Sequence, residues 1–399
     1  HHDLTLLWNI DSGYRVMCER IGETDRRLAD QLPTPHFCLI NPVHRKYAMQ
    51  FFVDFIRRTG IDAIMIDEVR FGEYGCGCAA CREKFHDDTG WYLPVNELDP
   101  RLNNREDPLW KCFLEWHKQQ VGNWWVDLRR EVKKIRPDFS CLAYSTHYGF
   151  SNYWAPLGMG SDLFQFARGV DFLGTEIMSR NVLESHRAVI PYRKMMNLLQ
   201  YAYQTPIFGL VYPVGDWDVA YFGWAANNMN GQLTWETVLP CPPGKSDYHT
   251  FAPENMDLAV ARPAAKAALL FSSQSRDWNR GFGFRPELMG TAQTLEELHI
   301  PYQMIGEMSL NAKGLQPFRL LFLGASGCLS DLQLATIKQF ARDGGAVIVS
   351  PLAGIFDEMG NTRPHWGFAD VFGFDFNFTK LNIAKVSTLY TAAGDQVPV

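Results

Sequence analysis

The sequence predicts an α/β protein that consists of a (β/α)8 TIM-type barrel followed by a smaller doubly wound domain. Three observations support this fold class. Apolar strand-like runs alternate with helix-like runs through the first 240 residues, acidic residues follow several of the strands, and the alternation restarts after residue 262. Alternating strands and helices imply parallel sheets with right-handed crossovers, and the chemistry of a barrel enzyme lies where its strands end.

The composition is that of a soluble globular protein large enough for two domains. The chain has 399 residues, of which 46% are hydrophobic and 21% are charged, and both values are ordinary. The net charge of -6 gives no reason to expect nucleic acid or an acidic membrane as a partner. No run of 18 apolar residues is present, so we expect no membrane span.

The elements of the first part can be justified in order. A helix is expected to begin at Asn41-Pro42, because Asn caps helices and Pro suits their first position, and to stop at Gly60. Asp107-Pro108 begins a second helix in the same way. The predicted strands are 4–10, 36–40, 63–66, 139–145, 170–177, 207–213 and 231–236, with a loop as the alternative for 36–40. The predicted helices are 42–59, 108–135, 182–203 and 218–230.

The second part repeats the pattern on its own. Residues 237–262 read as a long connection, so we divide the chain into a barrel over 1–258 and a second domain over 259–399. No strand of the second domain ends in an acid. Its predicted strands are 267–273, 301–305, 320–326 and 346–351, and its predicted helices are 286–299 and 330–343.

Carboxylates stand at the ends of two predicted strands. Asp67 and Glu68 directly follow the apolar run 63–66, and Glu176 lies near the end of 170–177. Ionised carboxylates resist burial unless they are paired or used, and the strand ends of a barrel converge on one mouth. Since glycosidic bond cleavage usually needs two carboxyls flanking the bond, we predict Asp67, Glu68 and Glu176 as catalytic residues.

Ion pairs are the alternative for these carboxylates, with Arg70 for one of the first two and with Arg180 or Arg187 for Glu176. Other residues at or beyond strand ends suit sugar binding by hydrogen bonding or stacking, and core packing is the alternative for each. These candidates are Asp11, Arg70, Tyr144, His147, Tyr212, Trp224 and Asn227.

Three cysteines lie close together in the sequence after the Asp67 strand. Cys76, Cys78 and Cys81 form a C-x-C-x-x-C pattern, and the total of nine cysteines favours metal or reduced thiols over a disulfide framework. We choose Cys38 as a fourth ligand. Thiolate ligands predict a zinc ion, and four of them leave no open position for water, so the ion would be structural. The alternative is reduced surface cysteines.

These residues resemble a known family. CLINPVHRKY (38–47) and DEVRFGEYGCGCAACREKF (67–85) resemble glycoside hydrolase family 42 beta-galactosidases, in which a cysteine loop binds zinc. The resemblance implies that Glu68 is the acid/base and that Cys38, Cys76, Cys78 and Cys81 are the zinc ligands. The residues 222–224 are similar to a motif near that family's last strand. Residues 267–374 resemble its amidotransferase-like domain, which implies a homo-oligomer, a trimer or dimer through this domain.

Two departures from the family modify this expectation. The stretch that matches the family's seventh strand, IFGLVYPV (207–214), has no Glu where the nucleophile is expected, and Asp67 replaces an Asn. An Asp on this strand with an acid downstream resembles alpha-L-fucosidase families 29 and 151, in which the Asp is the nucleophile. The resemblance also aligns 4–10 with the third strand, so the first strands of the barrel are expected to be missing from this chain.

The resulting hypothesis is a retaining exo-glycosidase that acts on a terminal sugar of an oligo- or polysaccharide. Asp67 would be the nucleophile and Glu176 the acid/base, with Glu68 replacing one of them or binding a sugar hydroxyl. The family 42 assignment makes Glu68 the acid/base, and a sialidase-like role for Tyr212 is a further alternative. A hypothesis from another class is a non-catalytic carbohydrate-binding or assembly protein on a degenerate barrel.

Overall fold

The structure is a computed structural model. It describes residues 38–67, 69–71, 75–96, 98–146, 153–177, 182–211, 217–236, 251, 254–255, 257, 263–279, 284–324, 326–375, 389–390 and 396–397.

Within the described residues, five parallel strands form the first sheet, in the order in which they occur in the sequence. They are β1 (Ala63–Asp67), β2 (Ser140–Thr146), β3 (Phe172–Ile177), β4 (Ile207–Val211) and β5 (Leu233–Glu236). The helices of this part are α1 (Pro42–Thr59), α2 (Ala79–Thr89), α3 (Pro108–Ile135), α4 (Leu163–Phe166), α5 (Val182–Tyr203) and α6 (Trp217–Met229), with a π-helical turn at Trp154–Gly158. Sequential parallel strands joined by helices are the repeating unit of a (β/α) barrel.

Helix α1 begins and ends as its sequence predicts. The Asn41 side chain accepts a hydrogen bond from the backbone N–H of Val43 at 2.9 Å, and Gly60 ends the helix at a φ of 68°. Val43, Tyr47, Phe51 and Phe55 recur every four residues in the sequence and so share one face of this helix. That face lies mostly outward, since Val43, Phe51 and Phe55 are all exposed. Its buried residues are His44, Ala48, Met49 and Ile56.

Helix α3 is the central helix of the barrel part. The Asp107 side chain caps it by accepting from the backbone N–H of Leu109 at 2.9 Å. Phe113, Leu128 and Val132, which the sequence predicts to face inward, are fully buried in the main core.

Among the described residues, no helix has the length and apolar character needed to cross a bilayer.

The second domain has a four-stranded parallel sheet in the order β7-β6-β8-β9, an arrangement typical of doubly wound domains. Its strands are β6 (Ala267–Phe271), β7 (Tyr302–Gly306), β8 (Leu320–Leu323) and β9 (Ala346–Val349), and a short antiparallel pair follows as β10 (Leu389–Tyr390) and β11 (Gln396–Val397). Its helices are α7 (Ser273–Trp278), α8 (Phe284–Glu297), α9 (Ala312–Leu315), α10 (Asp331–Arg342) and α11 (Ala369–Phe372), with a 3-10 turn at Glu307–Ser309.

A buried network of charges joins the two domains. Asp277 on α7 accepts hydrogen bonds from Lys118 on α3 at 2.6 Å and from the neighbouring Arg276 at 2.7 Å. Arg276 also lies 3.4 Å from Asp162, in the barrel part. All four of these side chains are buried. Burial alone would raise the pKa of Asp277, but the charges of Arg276 and Lys118 outweigh it and lower that pKa.

Candidate functional site

Two of the predicted catalytic carboxylates lie on the same face of the first sheet. Asp67 at the end of β1 pairs in register with Tyr144 on β2, and Tyr144 pairs with Gly174 on β3. Glu176 lies two residues beyond Gly174. Because side chains two apart on a strand point to the same face, Asp67, Tyr144 and Glu176 share one face.

The same face carries a group of aromatic rings. Tyr144 on β2 stacks with Phe208 on β4 at a centroid distance of 6.2 Å, and it meets Trp235 on β5 edge-to-face at 5.3 Å. On a flat sheet β2 and β5 would lie about 14 Å apart. The short distance between their rings shows that the sheet curves and that this face is concave.

Gly174 makes this contact between rings possible. A Cβ atom at Gly174 would overlap the Phe208 ring and come within 2.7 Å of the Tyr144 ring. The absence of a side chain on β3 therefore lets the rings of β2 and β4 close over the strand between them. We call Tyr144, Phe208 and Trp235 the aromatic floor.

Replacing Gly174 by alanine is expected to destabilise the protein by about 1–3 kcal/mol, because the added methyl group pushes the two rings apart. Gly290 inside α8 has open space around it, so the same replacement there is expected to stabilise the protein by about 0.5–1 kcal/mol. Denaturant unfolding of the two variants measures both effects. Equal effects of the two replacements would contradict the role assigned to Gly174.

The carboxylates lie beside the aromatic floor on the same face of the sheet. Asp67 is in register with Tyr144, and Glu176 is in register with Leu210, which pairs with Trp235. Asp67 is exposed and Glu176 is half-buried. Two strand spacings and one two-residue step separate their Cα atoms, which is about 12 Å on a flat sheet and less on a curved one. Within the floor, Tyr144 and Phe208 are buried against each other, so core packing holds for Tyr144, and the partly exposed Trp235 is the ring that a sugar could contact.

Three further predicted site residues are described by the structure. Arg70 follows β1, and its guanidinium contacts the sulfur of Met159. Trp224 lies on α6, with its ring against Tyr221 and against Phe251 at 5.5 Å.

Asn227 is fully buried on the opposite, helix-covered face of the sheet. Its amide donates to the Gly209 carbonyl and to the Thr234 hydroxyl, both at 3.1 Å, and its oxygen accepts from Arg193 at 2.7 Å. The side chain predicted to bind substrate is therefore used to join α5 and α6 to β4 and β5. The remaining predicted residues lie outside the described part of the chain: Asp11, Glu68, His147 and Tyr212.

Phe208 and Trp235 belong to this face but are not among the residues predicted from the sequence, and Trp235 is the more exposed of the two. It is 37% exposed, so part of its ring is available to a ligand. Strand alternation contains the necessary signal, because Trp235 and Leu233 are two residues apart on the predicted last strand, with Thr234 on the other face. The missing information was the register of that strand against β4.

The four predicted cysteine ligands come together in one buried cluster. The sulfur of Cys38 lies 3.6 Å from that of Cys78 and 3.4 Å from that of Cys81, and all four sulfurs lie within 4.8 Å of one another. Cys76 completes the set. Four sulfurs around zinc at about 2.3 Å would be about 3.8 Å apart in a tetrahedron, so this donor set fits such an ion.

The local structure presents these thiols to one another. Cys78 is the N-cap residue of α2, but its side chain makes no capping hydrogen bond. Hydrogen bonds from the other cysteines, that of Cys38 first, lower the pKa of Cys78 well below its ordinary value. Hydrogen bonds within the cluster, followed by burial, raise the pKa values of Cys38 and Cys81. Metal binding would displace the protons that these thiols carry.

Comparisons with known proteins identify a shared fold. No family model matches the chain, and no curated protein matches it in sequence. The GH42 beta-galactosidase Gan42B from G. stearothermophilus superposes with a TM-score of 0.64 at 14% identity, over 90% of this chain and 63% of that chain. The beta-galactosidase from Bacillus circulans sp. alkalophilus gives 0.62 at 14% identity, over 85% and 59%.

A third solved structure is titled as an exo-carrageenase GH42 from Bacteroides ovatus. It matches with a TM-score of 0.50 at 13% identity, over 72% of this chain and 48% of that chain. The chain spans 63% or less of the length of these three structures. The predicted resemblance and the α/β fold class are confirmed: this chain has the TIM-barrel-type fold of GH42 beta-galactosidases, joined to a second α/β domain.

Proposed function

We propose that this protein is a glycoside hydrolase, a retaining exo-glycosidase that removes a terminal sugar from an oligo- or polysaccharide. The observation that carries the proposal is the concave face on which Asp67 and Glu176 lie together with the partly exposed ring of Trp235. The fold shared with glycosidases supports it. An alpha-L-fucoside or a beta-galactoside is the substrate class that the sequence favours.

In the proposed mechanism the Asp67 carboxylate attacks the anomeric carbon while Glu176 gives its proton to the leaving glycosidic oxygen. The bond between that carbon and oxygen breaks, and a glycosyl ester on Asp67 forms. Glu176 then takes a proton from water, whose oxygen attacks the anomeric carbon and releases Asp67. The exposed part of the Trp235 ring would hold the apolar face of the sugar ring in place during both steps.

We also propose that the cysteine cluster holds zinc with a structural role. Thiolate ligands suit zinc, and four of them complete its tetrahedral coordination without a place for substrate or water. The cluster lies between the start of α1 and the start of α2, so the ion would stabilise the segments on either side of β1.

The test is a panel of nitrophenyl glycosides with the wild type and the variants Asp67→Asn, Glu176→Gln and Glu68→Gln. Loss of a general acid or base typically reduces the rate by 10²–10⁴, so we expect Glu176→Gln to reduce kcat at least about 100-fold. Asp67→Asn should reduce it at least as much, because it removes the nucleophile that forms the glycosyl ester. NMR of the first-formed product should show the anomer of the substrate. If Glu68→Gln lost activity and Glu176→Gln kept it, the family 42 assignment would replace ours.

Asp138→Asn is a matched control, because Asp138 is an exposed carboxylate at the other end of the barrel strands, just before β2. It should keep wild-type kcat. Thermal unfolding of every variant separates loss of activity from loss of structure.

A second candidate function is carbohydrate binding without hydrolysis. Its support is β4, whose residue facing the concave side near the strand end is Leu210 and not an acid. The same panel decides between them, because a binding protein would turn over no glycoside but would still bind sugars in calorimetric titration.

A further inference from the structure

A four-residue segment, Met159–Asp162, contacts Phe71, which follows β1, and Ser145 near the end of β2. The backbone N–H of Phe71, in the loop that follows β1, donates to the carbonyl of Met159 at 2.9 Å. The hydroxyls of Ser161 and Ser145 are 2.8 Å apart, and both residues are buried. Ser145 follows Tyr144 on β2, so the segment ties the loop after β1 to the end of β2.

The segment is pressed closely against α3. Gly160 has a φ of +72°, and a Cβ atom there would come within 2.7 Å of Val121 and 3.2 Å of the His117 carbonyl. Only glycine suits this backbone conformation at such a close approach. The segment therefore has little room to shift along α3.

The last residue of the segment is held by the second domain. One carboxylate oxygen of Asp162 accepts from the backbone N–H of Phe164 at 3.1 Å, which caps α4, and the other lies 3.4 Å from the guanidinium of Arg276. Arg276 is itself fixed by two hydrogen bonds to Asp277, of 2.7 and 3.0 Å. Arg276 on α7 thus contacts the segment that borders the candidate site.

We propose that Arg276 of the second domain is a positioning residue for the candidate site. By holding Asp162 it fixes Met159–Asp162, and through that segment it fixes the loop after β1 and the end of β2. The inference rests on the proposed function for its catalytic consequence. The second domain is then part of the machinery that aligns Asp67 with the aromatic floor, in addition to being a separate folded unit.

The experiment uses Asp162→Asn and Arg276→Lys in the full chain. Asn keeps the capping oxygen of Asp162 but removes its charge, and Lys keeps the buried charge of Arg276 but shortens its reach. Lys111→Met is the control, since Lys111 bonds the second domain elsewhere, at the Met359 carbonyl (2.7 Å) and at Asn361 (3.0 Å).

Native-state hydrogen exchange at the Phe71 amide is the first readout, with the Gly345 amide, which donates to Phe340, as an internal reference. We expect Asp162→Asn and Arg276→Lys to speed exchange at Phe71 about tenfold more than at Gly345. Lys111→Met should leave the exchange rate at Phe71 relative to Gly345 unchanged. In steady-state kinetics the same two variants should lose about tenfold in kcat with less than a twofold change in KM.

Unchanged exchange at Phe71 in both variants, or an equal change in Lys111→Met, would overturn the inference. If the wild type turned over no glycoside, the proposed function would fail, and the exchange experiment would still decide whether Arg276 holds the loop. A loss of kcat without faster exchange at Phe71 would also reject this route of coupling.

Discussion

Cys78→Ser is expected to lower the free energy of unfolding by about 4 kcal/mol, the stabilisation that a ligand gives at 1,000 times its Kd. Serine cannot replace the thiolate, so the three remaining thiols would hold the ion weakly. The melting temperature should fall by about 5 °C, because a long chain has a large unfolding entropy. Elemental analysis should find about one zinc per wild-type chain and much less in the variant, and a chelator should lower the stability of the wild type toward that of the variant.

Cys112→Ser is the matched control, because Cys112 is a partly exposed cysteine on α3 outside the cluster. It should keep both the metal and the stability. Metal-free wild-type protein with unchanged stability in Cys78→Ser would refute the metal proposal.

Asp277→Asn is expected to destabilise the protein by about 3–5 kcal/mol, the usual effect of breaking a buried ion pair. Asp277 accepts hydrogen bonds from both Lys118 and Arg276, and its loss leaves two buried cations close together. The charges of its acidic neighbours would offset only part of this repulsion. Denaturant unfolding measures the change in free energy. Most of the loss should come from the weakened contact between the second domain and α3.

The same carboxylate gives a pH dependence whose sign follows from its lowered pKa. A lowered folded-state pKa contributes stability that is complete above the ordinary aspartate pKa, about 3.9. That stability is lost as the pH falls through the lower folded-state value. Wild-type stability should therefore fall more steeply below about pH 4 than that of Asp277→Asn.

Glu131→Gln provides the comparison at the surface. Glu131 pairs with Lys134 at 2.8 Å, and exposed pairs of this kind contribute about 1 kcal/mol or less. If Asp277→Asn were no more destabilising than Glu131→Gln, the network would not be what holds the domains together.

Local sequence signals predicted most of the fold. Apolar runs gave β1 to β9 within a few residues, and the Asn41 and Asp107 caps placed the starts of α1 and α3. The four-residue repeat on α1 is a different case, because periodicity identifies a face but not what covers it. Val43, Phe51 and Phe55 are exposed in the described structure.

Residues of the candidate site could be predicted from the sequence only where the end of a single strand identified them. Asp67 and Glu176 could be found because each follows its own apolar run, whereas Trp235 needed the register between β4 and β5. The contact of Arg276 with Asp162 joins residues 114 apart in the sequence. No local pattern reports such a pair, since it depends on how the second domain docks.

The position of the cysteine cluster has a consequence for chain entropy. Cys38 and Cys76 bracket α1 and β1, so an ion bound to both would close a loop that contains Asp67. A permanent cross-link around a loop of this length would remove conformational freedom from the unfolded chain equivalent to about 4 kcal/mol. The bound ion would thus constrain the chain segment that carries the proposed nucleophile. Release of the ion should make this segment the first to unfold locally.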